Sequence, residues 1–192
     1  PVALGALAGR EDGTMNGARV AIVTGAATGI GAACARALSA EGYRVGVHYR
    51  SSADRAAKLI AELDDAFGLQ ADLADPEAID ALVKELKQGA GRVDVLVNNG
   101  GVGQIGAAEE VDDAGLRNML EQHLLGPAAL TRAVLPGMRQ RGRGTIVQVS
   151  SQGGRISFPG AGSYSAGKFA LEGWSEALAG EVAPFGIRVL VV

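Results

Sequence analysis

The sequence predicts a single α/β domain built on a doubly wound parallel sheet with helices on both faces. Short apolar runs alternate with helical patterns along the chain, which is the signature of strands joined by crossover helices. The apolar run Val20-Ala21-Ile22-Val23 leads directly into Thr24-Gly25-Ala26-Ala27-Thr28-Gly29-Ile30-Gly31 and an Ala-rich stretch ending at Ala40. That is strand, glycine turn, helix. With 192 residues, 47% hydrophobic and 20% charged, the chain is long enough for one compact domain with a real core.

Strands are expected at 19–24, 44–49, 67–71, 93–98, 145–149 and 187–192, and helices at 29–41, 52–64, 76–88, 112–140 and 164–183. The strands read as near-continuous apolar runs rather than alternating ones, as buried parallel strands do. Pro76 suits the first turn of its helix, whereas Pro136 should end or kink the pattern it interrupts. Residues 1–14 are Gly/Ala-rich without a clear period and read as a flexible extension ahead of Met15, with the domain occupying 15–192. The last strand, 187–192, is expected to present an exposed edge.

Composition excludes several classes. A net charge of −3 with scattered charges gives no basic stripe for nucleic acid. No apolar stretch approaches the roughly 20 residues that span a bilayer, and the expectation is a soluble, cytoplasmic protein with no membrane partner. The single cysteine, Cys34, cannot form an internal disulfide and reads as a small buried hydrophobe. His48 and His123 lack Cys or carboxylate partners at ligand spacing, so no metal site is expected.

Two segments carry chemistry. The glycine turn can bring backbone N–H groups and the positive end of a helix against a pyrophosphate. Farther on, Tyr164 and Lys168 are four residues apart in Tyr164-Ser165-Ala166-Gly167-Lys168, on one face of a helix. An ammonium beside a phenol stabilises the phenolate and draws proton transfer toward neutral pH. Ser151 precedes Tyr164 by 13 positions.

Taken together, these motifs resemble those of the short-chain dehydrogenase/reductase family, specifically its Thr-Gly-x-x-x-Gly-x-Gly and Tyr-x-x-x-Lys group. The resemblance runs from about Gly17 to Val192. Asp72 in Ala71-Asp72-Leu73 resembles the family's adenine-contacting aspartate. Asn98-Asn99-Gly100-Gly101 resembles its Asn-Asn-Ala-Gly strand end, and Ser151-Gln152-Gly153-Gly154 its catalytic-serine segment. The resemblance implies a Rossmann-like fold and hydride transfer between a nicotinamide and a secondary alcohol or ketone. Tyr164 is the implied acid/base, Ser151 positions the substrate oxygen, and Lys168 serves the phenolate and the nicotinamide ribose. The implied cofactor contacts are Gly25, Thr28, Gly29, Ile30, Gly31, Asp72, Leu73, Asn99, Gly100 and Gly101, with Tyr164 and Lys168. Adjacent Ser150 lacks the 13-residue spacing and reads as structural. Family members usually continue beyond the last strand with a substrate-covering loop, a helix and a strand, so the chain resembles a C-terminally truncated member.

The second strand ends in Tyr49-Arg50-Ser51-Ser52 rather than in an acid. Arginine can pair a ribose 2′-phosphate, which favours NADP(H) over NAD(H), with Arg50 as the phosphate partner and Ser51 as its helper. The alternative is a solvated loop arginine. Where relatives carry a helix asparagine three residues before a glycine, this chain has His123 before Gly126. Three readings stand: histidine supplies the same backbone carbonyl, relays protons through its ring, or has no role. Gly100 likewise replaces an alanine. The resemblance implies a homodimer or homotetramer through the fourth and fifth helices, and Phe158-Pro159 suggests an apolar pocket wall. A non-catalytic scaffold on the same fold is the rival function.

Overall fold

A computed structural model describes residues 19–86 and 92–192. The expected extension 1–14 and the end of the helix expected at 76–88 lie outside the described residues. Six strands, β1 (Val20–Val23), β2 (Arg44–Tyr49), β3 (Ala66–Gln70), β4 (Val95–Asn98), β5 (Gly144–Gln148) and β6 (Ile187–Val191), form one sheet. Their order is β3-β2-β1-β4-β5-β6, and every pairing is parallel.

The order reverses between β1 and β4: the chain winds outward to β3, then crosses back to β4 and continues to β6. Helices α1 (Gly29–Ala40) and α2 (Ala53–Glu62) cover one face, and α3 (Pro76–Glu85), α5 (Gly126–Arg141) and α6 (Gly162–Val182) the other. All four residues of β1 are buried, and the pleat divides them. Val20 and Ile22 join the cluster with Leu82, Leu130, Met138 and Leu178, while Ala21 and Val23 join Ala35, Val45, Val47 and Leu59. A sheet buried on both faces explains the continuous apolar runs of its strands.

The stretch expected as one helix at 112–140 is divided. It comprises α4 (Asp113–Leu120), a π-helical turn (Glu121–Leu125) and α5. Pro136 neither ends nor splits α5, which runs on to Arg141 and stops at Gly142 with φ +64°. Pro136 and Arg132, the residue whose carbonyl loses its helical donor, are both on the exposed face, where water can replace the missing bond. Glycine at 142 supplies the left-handed stop. Among the expected strands only 44–49 keeps both ends; the other five shift by one or two residues, to Val20–Val23, Ala66–Gln70, Val95–Asn98, Gly144–Gln148 and Ile187–Val191. Cys34 is half-buried beside the α1/α2 cluster rather than buried in it. No described helix is long and apolar enough to cross a membrane.

Candidate active site

The turns after β1 and β4 meet where the strand order reverses, the place at which open α/β sheets present ligands. Thr24 knits them together: its Oγ1 accepts from the N–H groups of Asn99 (2.9 Å) and Gly100 (2.8 Å). In return the Asn99 amide donates to the carbonyls of Thr24 (2.9 Å) and Gly25 (3.3 Å). Gly25 has φ +62°, and a Cβ there would lie 2.9 Å from the Gly100 Cα. Both facts require glycine. A Cβ on Gly31 would run into the Gly25 carbonyl.

His48 is the residue that sequence reasoning missed here. Its buried ring lies under the glycine turn, where Nδ1 accepts from the Gly25 N–H at 3.2 Å and Nε2 faces the Ala71 carbonyl at 3.2 Å. A backbone N–H can only donate, so Nδ1 carries the lone pair and Nε2 the proton. Burial, opposed weakly by the Ala71 carbonyl and Asp72, pushes the imidazole from 6.5 down to about 4. It is therefore neutral at physiological pH. The His48 carbonyl also accepts from Ala26 N–H at 2.8 Å. The only available signal was a histidine inside an otherwise apolar strand.

These bonds use up the N–H groups of Gly25 and Ala26. At the start of α1 the situation differs, because Thr28 occupies the N-cap with no side-chain cap bond. The first-turn N–H groups of Gly29, Ile30 and Gly31 have no intrahelical acceptors, and the dipole favours an anion there. A close-approach glycine cradle with uncapped donors fits a dinucleotide pyrophosphate.

A cavity next to this turn, about 180 Å³ in volume, is lined by Gly25, Thr28, His48, Arg50, Asp72 and Gly100 among others. Leu73, Gly101 and Ser51 also line it. Asp72 is fixed by accepting from Ala74 N–H at 3.0 Å. Arg50, half-exposed, holds Nη1 3.9 Å from the Asp72 carboxylate. Leu73 is largely a packing residue: it is buried in the core cluster and its Cδ1 reaches the Gly100 position.

Ser151 follows the end of β5, and Tyr164 and Lys168 lie on α6, which packs against the turn after Ser151. Ser151 Oγ accepts from the Gly153 N–H (3.1 Å) and caps the short 3-10 turn Gln152–Gly154. Tyr164 packs on that turn so closely that a Cβ on Gly153 would lie 2.9 Å from its Cε1. Lys168 is buried, and its Nζ donates to the Val149 carbonyl at 2.7 Å. Burial pushes the Lys168 ammonium from 10.5 down to about 8, with Glu172 opposing. Glu172 is itself paired to Arg155 at 2.9 Å. Ser150 Oγ is buried against the Gly154 position, with no hydrogen-bond partner among the described residues. His123 lies edge-on to Tyr164, with ring centroids 5.2 Å apart.

Fold and glycine turn together define a Rossmann-like α/β domain. The short chain dehydrogenase family profile matches residues 19–192. The chain belongs to the short-chain dehydrogenase/reductase family. It is 37% identical over 179 residues to the "Uncharacterized oxidoreductase YmfI" of Bacillus subtilis (strain 168), covering 91% of this chain and 73% of that protein. A short-chain dehydrogenase from Streptomyces avermitilis superposes with TM-score 0.86 at 48% identity, over 92% of this chain and 65% of that one. A metagenomic short-chain oxidoreductase in complex with NADP superposes with TM-score 0.85 at 33% identity, over 93% of this chain and 81% of that one. The chain thus spans less than two thirds of the length of the Streptomyces protein.

Proposed function

We propose that this chain is the cofactor-binding and catalytic part of an NADP(H)-dependent oxidoreductase acting on a secondary alcohol or ketone. The observation that carries the reading is that Tyr164 packs on the turn Ser151 caps, while Lys168, one helical turn later, is buried with its Nζ on the Val149 carbonyl. A tyrosine seated on the serine's own turn and a lysine one helical turn later face the carboxyl end of β5. A bound nicotinamide would supply or accept the hydride at the substrate carbon. Tyr164 exchanges the proton with the substrate oxygen as that oxygen gains or loses charge. Ser151 donates a hydrogen bond to the same oxygen and holds it in line, a positioning task suited to a small hydroxyl. The Lys168 ammonium, steadied by the Val149 carbonyl, stabilises the phenolate and reaches the nicotinamide ribose. The donors of Gly29, Ile30 and Gly31, with the turn of Gly25 and Thr28, would hold the pyrophosphate. Asn99, Gly100 and Gly101 would flank the ribose, and Asp72 with Leu73 would meet the adenine.

Arg50 supports NADP(H) over NAD(H). It stands half-exposed at the cavity wall beside Ser51, with no acid at the end of β2. The NADP complex of the metagenomic relative supports the same choice. A homodimer or homotetramer through α4, α5 and α6 is the assembly this reading expects, and the exposed Phe169 on α6 suits such a contact.

The test mixes the full chain with NADPH and a panel of ketones and follows nicotinamide absorbance, with Tyr164→Phe as control. Turnover by the native chain that disappears in the variant is the expected result. Cofactor binding without turnover of any carbonyl, in native chain and variant alike, would instead favour the scaffold role.

A further inference from the structure

We infer that the His123 side chain is a positioning residue for Tyr164, wedged between the β4 loop and α6 so that it holds the phenol in its working orientation. This rests on the proposed role of Tyr164. His123 stands in the π-helical turn Glu121–Leu125, where relatives are expected to carry a shorter asparagine. It is 2% exposed. Its Nε2–H donates to the Val102 carbonyl at 2.7 Å, which ties the ring to the β4 loop. On the other side the ring meets Tyr164 at an interplanar angle of 88°.

Two glycines leave room for it. A Cβ on Gly101 would lie 2.5 Å from the His123 Cε1, and a Cβ on Gly167 would lie 3.0 Å from the His123 Cβ. Gly167 falls between Tyr164 and Lys168, so the imidazole enters the helix face that carries both. Rotation of a phenol about its own axis leaves Oη in place, whereas a swing about Cα–Cβ carries Oη by several ångströms. The contacts with Gly153 and His123 oppose that swing.

The same contacts make the device pH-dependent. With Nε2–H given to Val102, Nδ1 is a lone-pair acceptor, and it is buried with no partner among the described residues. Protonating it would bury a donor that has no acceptor and add a second cation near Lys168. Two titratable groups, Tyr164 and Lys168, face the ring from α6, and the β4 loop offers only Gly101 and the Val102 carbonyl. Burial first, then Lys168, hold the imidazole below its usual value, against the Val102 carbonyl. Uncharged at neutral pH, it becomes charged and disturbs the phenol only as pH falls below the usual imidazole range.

The test uses the full chain with NADPH and a ketone that it reduces, and measures kcat, KM and the pH profile for His123→Ala and His123→Phe. His123→Ala is expected to lose about tenfold in kcat with the cofactor KM unchanged. His123→Phe, which keeps a ring but cannot titrate, should recover most of kcat and lack the acid limb of the native profile. As a readout independent of turnover, nitrogen-correlated NMR of the two imidazoles in the chain, assigned with His123→Phe, should show His123 as the neutral Nε2–H tautomer at pH 7. A charged His123 ring at pH 7, or unchanged kcat and pH profile in His123→Ala beside an inactive Tyr164→Phe, would overturn this inference alone. Full turnover by Tyr164→Phe would overturn the proposed function as well.

Discussion

The Lys168 ammonium donates to the Val149 carbonyl at 2.7 Å, and this bond ties α6 to the carboxyl end of β5 next to Ser151. A buried cation is thereby held by one carbonyl, one helical turn along α6 from Tyr164. Its burial is what lowers its affinity for a proton to a pKa of about 8.

Lys168 should therefore lose its proton within the working range. Activity is expected to fall above about pH 8, and Lys168→Met should lose at least about 100-fold in kcat/KM, measured by ketone-dependent NADPH oxidation. The stability effect has the opposite sense. Between about pH 8 and 10.5 the unfolded state holds more protons on this lysine than the folded one, so its contribution rises with pH. The burial cost is complete below pH 8 and relieved by 10.5. Urea unfolding of native chain and Lys168→Met at pH 7.5 and 10 isolates that difference.

His48 shapes the cofactor turn, and its removal should be felt there first. His48→Leu leaves the Gly25 N–H and the Ala71 carbonyl without partners, at a cost of about 1–3 kcal/mol. NADPH affinity is expected to fall about tenfold as the turn relaxes, by a loss of roughly 1.4 kcal/mol. His48→Asn keeps an acceptor near the Nδ1 position and should recover much of that loss in a fluorescence titration. Because the folded pKa is depressed to about 4, the native chain keeps this histidine's stability above pH 6.5 and loses it as pH falls from 6.5 through 4. The full effect is roughly 3 kcal/mol, and a pH series of thermal melts against His48→Asn measures it.

Gly31→Ala places a methyl inside the Gly25 carbonyl and 2.7 Å from the Asn99 amide nitrogen. Overpacking of this kind costs about 1–3 kcal/mol. The chain should still fold, with a circular dichroism spectrum like the native one, while NADPH binding drops by at least about tenfold.

Arg50→Asp puts a carboxylate where a ribose 2′-phosphate would meet the guanidinium. Preference should move from NADPH toward NADH, by about 10-fold to 100-fold in the ratio of kcat/KM values, since an arginine–phosphate bond contributes about 1.5–3 kcal/mol. Equal loss with both cofactors would reduce Arg50 to a solvated loop residue.

Asp94 tests stability apart from chemistry, because it lies just before β4, at the end of the sheet opposite the site. Its carboxylate accepts from the Val20 N–H (2.9 Å) and from Arg92 Nε (2.8 Å), with Arg141 Nε at 3.9 Å. Burial alone would raise its pKa, but the Arg92 and Val20 bonds and the two arginine charges outweigh it and leave the value lowered. The stabilisation is present above pH 3.8 and lost as pH falls through the folded value. Asp94→Ala should lose about 2–4 kcal/mol in urea unfolding at pH 7. Activity per folded molecule should remain at the native level.

Much of the fold was legible because its signals are local. The run Val20–Val23 followed by the glycine turn and the Ala-rich helix identifies a β–turn–α unit, and the later apolar runs repeat it. Pro136 misled for a physical reason. A proline forbids one hydrogen bond, but whether the helix ends depends on whether the freed carbonyl faces solvent, and that follows from how α5 packs. The division of 112–140 by a π-helical turn was likewise invisible, since Glu121–Leu125 carries no breaker residue.

The candidate site was legible in part. Tyr164 and Lys168 share a helix face by spacing alone, and Ser151 precedes them at a recognisable distance. Neither Val149 as the lysine's acceptor nor Gly153 as the tyrosine's seat could be read from spacing. His48 had no pattern pointing to Gly25 and Ala71.

Local sequence, then, determined which segments become strands, turns and helices and which side chains share a face, because those follow from periodicity and the backbone preferences of glycine and proline. The partners of Lys168, His48 and His123 were decided by the tertiary structure alone. Their acceptors are backbone carbonyls between 19 and 23 residues away, brought within hydrogen-bond reach only when the parallel sheet assembles and buries them.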